Sequence, residues 1–493
     1  MSSKPKLLFW LDGFLSHFCI AYYLQSEINA DFFGITDINS KPKKFFENQK
    51  LVDFKKNWYY HDHIDLNQKK PDLEYLTNFE KKYKINLWKL AINERYFYKH
   101  NRFYKFEKEK ILSILEQELK LFETILDEVK PDYLLTYDPA LHHQKLFLDI
   151  CKIRDVKILS MNFTGIKDKI VISENAETLD FNKNSLENPT ENNIISSKNE
   201  SYDNVWHNYM VDKTPGIKNK IIALLEYSRS NDSELITNNF MYAGRTKFKV
   251  IKDTINLELN KKFKFNFIEK FFISSPNLDI PFVYFPMNIV EEMNLLHYAP
   301  FYTDQIEVIR HIAKSIPIDH TLYVKDHKGA GLRGWNSIDY YKEIMEIPNV
   351  KLIHPTFDNN RLLEHCKLLI TIRGTTAYKA VKYGIPSIIF GSQPFEIIPS
   401  VYKVNSLLEL PNLIHEIIDK PVDQSYYEKY ERLIYDSGCS FDIFLYENLR
   451  NKAFFSGGIL SNVEINNNDM DDFLKNNKKL FSELILEHLK FLS

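Results

Sequence analysis

Several features that often reveal a function are missing from this sequence. It contains no Gly-x-Gly-x-x-Gly dinucleotide loop, no Walker A phosphate loop and no Gly-x-Ser-x-Gly nucleophile elbow. Its four cysteines lie far apart and form no Cys-x-x-Cys pair, which favours reduced, buried thiols over a disulfide framework or a zinc site. The 64 basic residues nearly balance the 66 acidic ones, so bulk charge does not favour a nucleic-acid partner.

A long uninterrupted apolar run is also missing. The nearest approach is residues 7–24, and Asp12, Gly13, Ser16 and His17 interrupt it. A strand, a turn and a helix fit this segment better than a membrane span or a signal peptide. We therefore expect a cytoplasmic protein, with peripheral membrane contact left open.

The chain does contain two long runs in which strand and helix signals alternate. Its 493 residues are enough for two or three domains with cores of their own. Short apolar stretches rich in β-branched and aromatic residues alternate with helical periodicity, which predicts parallel sheets covered on both faces. The predicted fold class is α/β, with two Rossmann-like domains in a GT-B-like arrangement and a C-terminal helical extension.

The predicted domain boundaries follow these runs. Residues 1–279 form the first domain, with a polar insertion near 166–260 that is either a lid or a plain insertion. Residues 280–425 form the second domain, and residues 426–493 form a helical extension that could pack on either domain. Within the first domain, residues 37–105 look irregular, basic and aromatic. Such a stretch can bind nucleic acid or sugar rings, but a partly helical insertion packed through its rings is favoured.

The densest polar pattern lies in TLYVKDHKGAGLR (321–333) and LLITIRGTTAYKAV (368–381). Each stretch is a short buried strand that leads into polar residues and a turn. If the first strand stays extended, Lys325 and His327 point to the same side of it. The polar residues concerned are Lys325, His327, Arg333, Arg373, Gly374, Thr375 and Thr376. Cations at strand ends beside a helix N-terminus suit a phosphate-bearing ligand.

The same region resembles the capsule polysaccharide biosynthesis family. The resemblance depends on four motifs in order: FPMNIVEEMNLLHYAPFYTDQIEVIRHIAKSIP (285–317), LYVKDHKGAGLR, NVKLIHP (349–355) and TIRGTTAYKAVKYGIPSIIFG (371–391). That family includes GT-B-type transferases that add Kdo from CMP-Kdo. The match covers residues 280–395, and the order of the motifs is more specific than any one of them.

The resemblance implies a set of donor-binding residues in the second domain. The residues that match the family's pattern are Glu292, Asp304, Gln305, Lys325, His327, Arg333, Gly374 and Thr375. Their neighbours Arg373 and Thr376 complete the set, although Arg373 could instead pair with Asp358 or Glu364. Lys328 and Lys379 depart from the pattern, and a lysine at 379 in place of a glutamate leaves the donor open.

Two of these residues have ordinary structural uses as well. Asp304 stands where a helix begins, and an acid in a first helical turn more often serves the helix dipole than a ligand. Glu292 either contacts donor or acceptor, or is a surface carboxylate beside Glu291.

Transfer of a sugar from a nucleotide requires a base for the acceptor hydroxyl and charge stabilisation for the leaving phosphate. Cations of the second domain would stabilise the phosphate, so neither a metal nor a cofactor is expected. The base is expected from the first domain, where Asp12 and Asp138 each follow a buried strand. Asp138 is slightly favoured, and His142 and His143 follow it one turn later. His327 is the third catalytic candidate.

Metal sites find little support in the sequence. His61-Asp62-His63 has no partner cluster nearby in the chain, and Asp469-Met470-Asp471 lies in an Asn-rich tail.

The predicted function is a glycosyltransferase of surface polysaccharide biosynthesis. It would transfer a sugar from a nucleotide-activated donor, such as CMP-Kdo or a related CMP-sugar, to a glycan or glycolipid acceptor. Two alternatives stay open. One is a nucleotide-sugar epimerase or polyol-phosphate transferase of the same twin-domain fold, and the other is a degenerate subunit that binds without catalysing.

Overall fold

A computed structural model describes residues 4–68, 70–166, 168–187, 217–229, 239–455 and 464–492. Residues 188–216 and 230–238, which form much of the predicted insertion, lie outside the described residues. So do Gly457 and Gly458, a glycine pair that predicts a break in the helical extension. Whether the insertion closes over a site therefore stays a prediction. None of the described helices is both long and apolar enough to cross a bilayer.

The chain divides into two compact units. The first unit falls within residues 1–176, 215–250 and 438–493, and the second within 177–214 and 251–437. The C-terminal segment therefore belongs to the first unit, a choice that the sequence left open.

A seven-stranded sheet forms the centre of the first unit, in the order β13-β6-β5-β4-β1-β2-β3. Its strands are β1 (Lys6–Asp12), β2 (Asp31–Asp37), β3 (Phe54–Tyr59), β4 (Tyr133–Tyr137), β5 (Lys157–Phe163), β6 (Lys169–Ser173) and β13 (Cys439–Ser440). The strands from β5 to β3 are parallel, and β6 and β13 are antiparallel additions at the other edge.

The helices of the first unit cover both faces of this sheet with two separate apolar clusters. They are α1 (Ser16–Glu27), α2 (Ser40–Asn48), α3 (Leu73–Tyr83), α4 (Leu87–Asn93), α5 (Lys108–Val129), α6 (His142–Ile153), α7 (Ile217–Arg229), α16 (Ile443–Arg450) and α17 (Asn467–Leu492). The period of apolar residues predicted α5 well, because one face of this helix is fully buried. Helix α17 packs on α1, and the Tyr23 hydroxyl donates to the Leu474 carbonyl at 2.6 Å.

Residues 37–105 are partly helical as predicted, but they are more regular than the sequence indicated. They hold α2, α3, α4 and the edge strand β3. The sequence FKKNWY of β3 exposes Lys55 and Lys56 at the sheet edge, so the alternation that marks a half-buried strand is weak there. Strand β6 was also missed, because its short run KIVIS lies at the start of the polar region that the sequence predicts to be an insertion.

The second unit contains a fully parallel six-stranded sheet in the order β12-β11-β10-β7-β8-β9. Its strands are β7 (Phe282–Pro286), β8 (Thr321–Lys325), β9 (Val350–Ile353), β10 (Leu368–Thr371), β11 (Ser387–Ile389) and β12 (Val401–Lys403). Its helices are α8 (Lys247–Phe271, which begins in the first unit), α9 (Met293–Leu296), α10 (Gln305–Ser315), α11 (Ile338–Met345), α12 (Asn359–His365), α13 (Thr376–Val381), α14 (Leu410–Ile417) and α15 (Ser425–Ser437). The predicted α/β class with two Rossmann-like sheets is confirmed.

Both sheets reverse their strand order at one point. In the first unit β1 lies between β2 and β4, and in the second unit β7 lies between β8 and β10. Connections leave such a pair of strands in opposite directions, which opens a crevice at their carboxyl ends where open α/β sheets bind ligands. Asp12 and Tyr137 end the two strands in the first unit.

Candidate functional site

A large cavity of the first unit opens at this reversal point. It has a volume of about 1010 Å³ and is lined by Asp12, Asp37 and Tyr137 at the ends of β1, β2 and β4. Parallel register places Asp12 directly beside Asp37. A cavity of this size at a strand-order reversal has the dimensions of a site for a small polar molecule.

Asp12 has the environment of a general base. One carboxylate oxygen accepts the Phe14 amide at 2.9 Å, and the other accepts the Tyr137 hydroxyl. Burial raises the pKa of Asp12 to about 6, the neighbouring Asp37 acts in the same direction, and the Tyr137 hydrogen bond opposes them. The carboxylate is therefore ionised at neutral pH and can still accept a proton at modest cost.

Asp37 is held as an anion by two histidines. Its carboxylate lies 2.8 Å from Nε2 of His143 and 3.2 Å from Nε2 of His61. Burial raises the pKa of Asp37, but the attraction and hydrogen bonds of His143 and His61 outweigh it and hold this pKa well below its usual value. Asp37 is thus suited to orient a ligand by accepting its hydrogen bonds, and it is a poorer base than Asp12.

A second buried charge cluster stands behind the histidines. His142 Nδ1 lies 2.8 Å from Glu94, and its Nε2 lies 3.0 Å from Glu118. The carboxylates overcome burial and raise the pKa of His142 to about 10, so the ring is an imidazolium. Tyr60 donates to Glu118 at 2.5 Å. The Tyr60 ring also stacks on His143, with 4.4 Å between centroids, and so couples the two clusters.

The spacing of Glu118, His142 and His143 would also suit a metal ion, because one ligand atom of each lies within 4.8 Å of the others. Both nitrogens of His142 are already engaged with carboxylates, however. A ring that donates from both nitrogens has no lone pair for a metal, so a charge-compensated hydrogen-bond cluster explains this geometry.

The wall of the cavity also carries cations and aromatic rings. Arg450 lies 5.0 Å from the Phe14 ring and 5.2 Å from the Phe455 ring, and Arg245 lies 5.3 Å from the Tyr242 ring. All five residues line the cavity. Neither arginine forms an ion pair with a carboxylate among the described residues. This wall can stack against a sugar ring and hydrogen-bond its substituents.

Asp138, the base that the sequence favoured, is half-buried directly after β4. It is not among the described residues that line the cavity, whereas its neighbour Tyr137 is. The histidines that follow it, His142 and His143, are fully buried in the clusters described above. The geometry of the first unit therefore favours Asp12 over Asp138 as the reactive carboxylate.

In the second unit, Lys325 ends β8 and is buried. Its Nζ donates to Oδ1 of Asn359 at 2.5 Å. Burial, with a smaller contribution from the charge of Lys328, lowers the pKa of Lys325 to about 7. A phosphate bound nearby would restore the protonated form, because an opposite charge favours it.

The two residues after Lys325 have contrasting environments. Asp326 is buried, and its carboxylate accepts Tyr341, Asn336 and the His327 amide. His327 is exposed, and its Nδ1 accepts the Gly329 amide at 3.0 Å. The strand ends at Lys325, so the alternation that put Lys325 and His327 on one side does not extend to His327.

Glu292 and Arg333 are brought together across 41 residues of sequence. Arg333 donates to Glu292 at 3.0 Å and lies 3.9 Å from Glu291, and the pair is partly exposed. An exposed pair of this kind can open to receive an anion at small cost, since its net contribution to stability is slight.

Asp304 and Gln305 both fix the backbone in the structure. Asp304 caps α10, and its carboxylate accepts the amides of Ile306 and Glu307. Gln305 is buried and clamps Asn288, with bonds of 2.8 Å to the Asn288 amide and carbonyl. Asn288 follows β7 at the strand-order reversal, so Gln305 fixes the backbone that borders the crevice.

The turn after β10 is also tightly packed. Arg373 is buried, donates to the Ser392 carbonyl at 2.8 Å and lies 4.4 Å from the Tyr298 ring. A Cβ at Gly391 would lie 2.6 Å from the Arg373 side chain, which explains the glycine there. The sequence offered two uses for Arg373, a phosphate or an ion pair with Asp358 or Glu364. The structure adds a third, which is packing against the Ser392 carbonyl and the Tyr298 ring.

Gly374, Thr375 and Thr376 lead into α13 as predicted. The Gly374 amide donates to Thr371 Oγ1 at 3.2 Å, and Thr375 stands at the N-cap without a side-chain capping bond. The amides of this turn lie at the carboxyl end of β10, beside the strand-order reversal.

Sequence reasoning missed Asp37, Tyr137 and the two arginines of the cavity. Asp37 and Tyr137 carried a usable signal, because each ends a strand next to β1. Arg245 and Arg450 carried none, since they are far from β1 in the chain and only folding brings them to the cavity.

No family model matches the chain, and no curated protein matches it either. Among solved structures, the β-Kdo 2,7 transferase KpsC of Thermosulfurimonas dismutans is 10% identical, covering 80% of this chain and 98% of that one, with a TM-score of 0.31. The UDP-GlcNAc 2-epimerase of Methanocaldococcus jannaschii is 13% identical, covering 87% and 99%, with a TM-score of 0.23. The spinosyn rhamnosyltransferase SpnG is 10% identical, covering 87% and 95%, with a TM-score of 0.24. Likenesses this remote leave the function to be inferred from the side chains of each unit.

Proposed function

We propose that this protein is a glycosyltransferase of surface polysaccharide biosynthesis. It transfers a sugar from a nucleotide-activated donor to a glycan or glycolipid acceptor, and the motif order favours a CMP-linked acidic sugar such as CMP-Kdo as the donor. The observation that carries the proposal is Asp12, a carboxylate with a pKa of about 6 on the wall of a cavity of about 1010 Å³. Such a group is ionised at neutral pH and matches the requirement for a general base.

The acceptor is assigned to the first unit. Its hydroxyl group would lie against Asp12, with the sugar ring against the aromatic wall formed by Phe14 and Tyr242. As the acceptor oxygen bonds to the anomeric carbon of the donor, its proton passes to the Asp12 carboxylate. The bond between the anomeric carbon and the phosphate oxygen breaks, and the phosphate keeps the electron pair.

The donor is assigned to the carboxyl ends of β7, β8 and β10 in the second unit. Lys325 would stabilise the negative charge that grows on the phosphate, with His327 and the amides that precede α13 as further donors. Lys325 is suited to this work because its pKa of about 7 makes its charge responsive to a bound anion. Asn359 would keep the ammonium group in position through its 2.5 Å hydrogen bond.

A thermal-shift screen against CMP, CDP and UDP tests the donor class first. Selective stabilisation by CMP supports the proposal, and a nucleotide at one hundred times its Kd would stabilise the folded state by about 2.7 kcal/mol. Stabilisation by UDP together with interconversion of UDP-sugars would assign the protein to the epimerases instead. Complete failure to bind any nucleotide would favour the alternative of a degenerate subunit that has no catalytic activity.

Transfer assays with Lys325→Ala and His327→Ala then test the site itself. Both variants should lose most transfer activity while keeping the wild-type circular dichroism spectrum. Wild-type activity in both variants would remove the assignment. Lys351→Ala is the matched control, because Lys351 is exposed on the neighbouring strand β9.

A further inference from the structure

Helix α8 presents an unusual outer face in the second unit. From Ile251 onward it belongs to this unit, and its docking contacts lie toward its C-terminal end. Ile268 is fully buried in the core, and the Lys264 ammonium group donates to the carbonyls of Gly334 and Trp335 at 3.0 and 2.9 Å. The orientation of the helix is therefore fixed, and its outer face is set by packing rather than by chance.

Three large apolar side chains follow one another along that outer face. Ile255, Leu259 and Phe263 recur at intervals of four residues and are 48%, 58% and 68% exposed. At 100° per residue they fall within one narrow stripe, opposite Ile268. Large apolar side chains that are clustered and exposed to water are typical of an interaction surface, so this face of α8 is a candidate for one.

Lysines flank and interrupt the same stripe. Lys252, Lys262 and Lys270 are exposed and share the outer face with the apolar residues. The three acids of this part of α8, Asp253, Glu258 and Glu269, lie to the sides of the apolar stripe rather than within it. Glu269 is directed to His354, with 3.3 Å between the charged atoms, and Glu258 lies along one edge.

We propose that this α8 surface, formed by Lys252, Ile255, Leu259, Lys262, Phe263 and Lys270, docks on a bilayer that contains anionic lipids. Apolar side chains would enter the boundary between headgroups and acyl chains, and the lysines would meet the lipid phosphates. This inference does not depend on the proposed transferase activity, although a glycolipid acceptor would be found at the same membrane.

Charge and size favour a lipid surface over a protein partner. A stable protein interface buries about 800 Å² on each side, which is more than a stripe of three apolar side chains supplies. A second copy of the chain would bring a second set of lysines against the first, and this would be repulsive. A bilayer with anionic lipids meets neither difficulty. It offers negative charge to the lysines and an apolar interior to the side chains along the whole stripe.

Cosedimentation of the full chain with phosphatidylcholine vesicles, with and without 30% phosphatidylglycerol, tests the proposal. The wild type should bind the anionic vesicles and release as salt is raised. Leu259→Ser/Phe263→Ser and Lys252→Gln/Lys262→Gln/Lys270→Gln should each lower the partition coefficient at least tenfold, since each exposed apolar group or lysine adds severalfold. No binding of the wild type to the anionic vesicles at low salt would overturn the proposal.

Matched controls in the same unit keep the result specific. Ile318→Ser/Leu408→Ser removes two apolar side chains that are even more exposed than Leu259 and Phe263, and Lys314→Gln/Lys342→Gln/Lys351→Gln removes three exposed lysines. Neither control should change vesicle binding. Equal losses in the controls would overturn the assignment to α8, and so would a wild-type dimer in light scattering that the Leu259→Ser/Phe263→Ser variant converts to a monomer.

A fluorescent probe can report the depth of insertion directly. All four native cysteines are buried, so a Phe263→Cys variant can be labelled selectively with an environment-sensitive dye. Its emission should shift to the blue with anionic vesicles, and the same dye at Leu408→Cys should not respond. A silent probe at position 263 on vesicles that bind the protein would place the contact elsewhere and overturn the proposal.

Discussion

The two sheets end in similar crevices, and burial there shifts the pKa of an acid in one and of a base in the other. In the first unit the key groups are the acids Asp12 and Asp37 at the reversal point. In the second unit the key group is Lys325 at the carboxyl end of β8. Burial disfavours charge in both places. It raises the pKa of Asp12 to about 6 and lowers the pKa of Lys325 to about 7. One physical effect thus moves an acid and a base from opposite ends of the pH scale toward neutrality.

Partners explain why other buried groups respond differently. Asp37 has His61 and His143 beside it and remains an anion, and His142 has two carboxylates and remains a cation. Asp12 and Lys325 have weaker compensation: hydrogen bonds from Tyr137 and Phe14 only partly offset the burial of Asp12, and the charges of Asp326 and Asp358 only partly offset the burial of Lys325. Groups that are buried without full compensation are the ones that can exchange protons near neutral pH, which makes them the best functional candidates.

The largest effect is expected at Asp12. Asp12→Asn should lower transfer by a factor of 10² to 10⁴, since it removes the base and leaves the shape of the side chain intact. Stability at pH 7 should not fall, because the native carboxylate is penalised by burial. Steady-state transfer assays and urea unfolding measure both quantities.

Asp138→Asn is the matched variant for this comparison. It should retain most activity, because Asp138 is not among the residues that line the cavity. A loss at Asp138→Asn that exceeds the loss at Asp12→Asn would restore Asp138 as the base and exclude Asp12.

The buried cluster around His142 should dominate stability. His142→Phe leaves Glu94 and Glu118 buried without their shared cation, which should lower the free energy of unfolding by about 3–5 kcal/mol. Urea unfolding at pH 7 measures the loss. The triple variant Glu94→Gln/His142→Phe/Glu118→Gln should recover part of it, and a single variant as stable as the wild type would contradict the charged cluster.

Lys325 should make stability depend on pH in the alkaline range. Its pKa is about 7 in the folded chain and its ordinary value is 10.5, so between these values the unfolded chain binds more protons. The free energy of unfolding should therefore rise with pH from about 7 to 10, by up to about 1.4 kcal/mol per pH unit from this group.

Lys325→Met should remove that contribution. Urea unfolding measures this at pH 7 and pH 9. Between these values the free energy of unfolding of the wild type should rise by about 1–3 kcal/mol relative to that of the variant. Lys351→Met, at an exposed position of β9, should follow the wild type. Parallel pH profiles of wild type and Lys325→Met would show that the pKa of Lys325 is not lowered.

The smallest effect on stability is expected at Arg333. Arg333→Ala breaks a partly exposed ion pair with Glu292 and should change the free energy of unfolding by at most about 1 kcal/mol. If Arg333 also binds the donor phosphate, calorimetry should show a nucleotide Kd several times higher. Arg310→Ala, which breaks an ion pair on the surface of α10, should leave the Kd unchanged.

Local patterns in the sequence determined the strands, the main helices and the α/β class, because apolar period and turn residues act over a few positions. They also placed Asp12, Lys325 and the turn before α13 at strand ends. Strands β3 and β6 escaped for different reasons: β3 exposes two of its residues at a sheet edge, and the short buried run of β6 lies at the start of a polar segment.

Only the tertiary structure decided which of these strand ends form a site. It brought Arg245 and Arg450 to the same cavity as Asp12, and it placed the C-terminal helix α17 in the first unit. It also engaged Gln305 and Arg373 in packing that their sequence neighbourhood did not reveal. A sequence specifies which groups can ionise, but their pKa values depend on burial and on partners that the folded chain brings from distant positions.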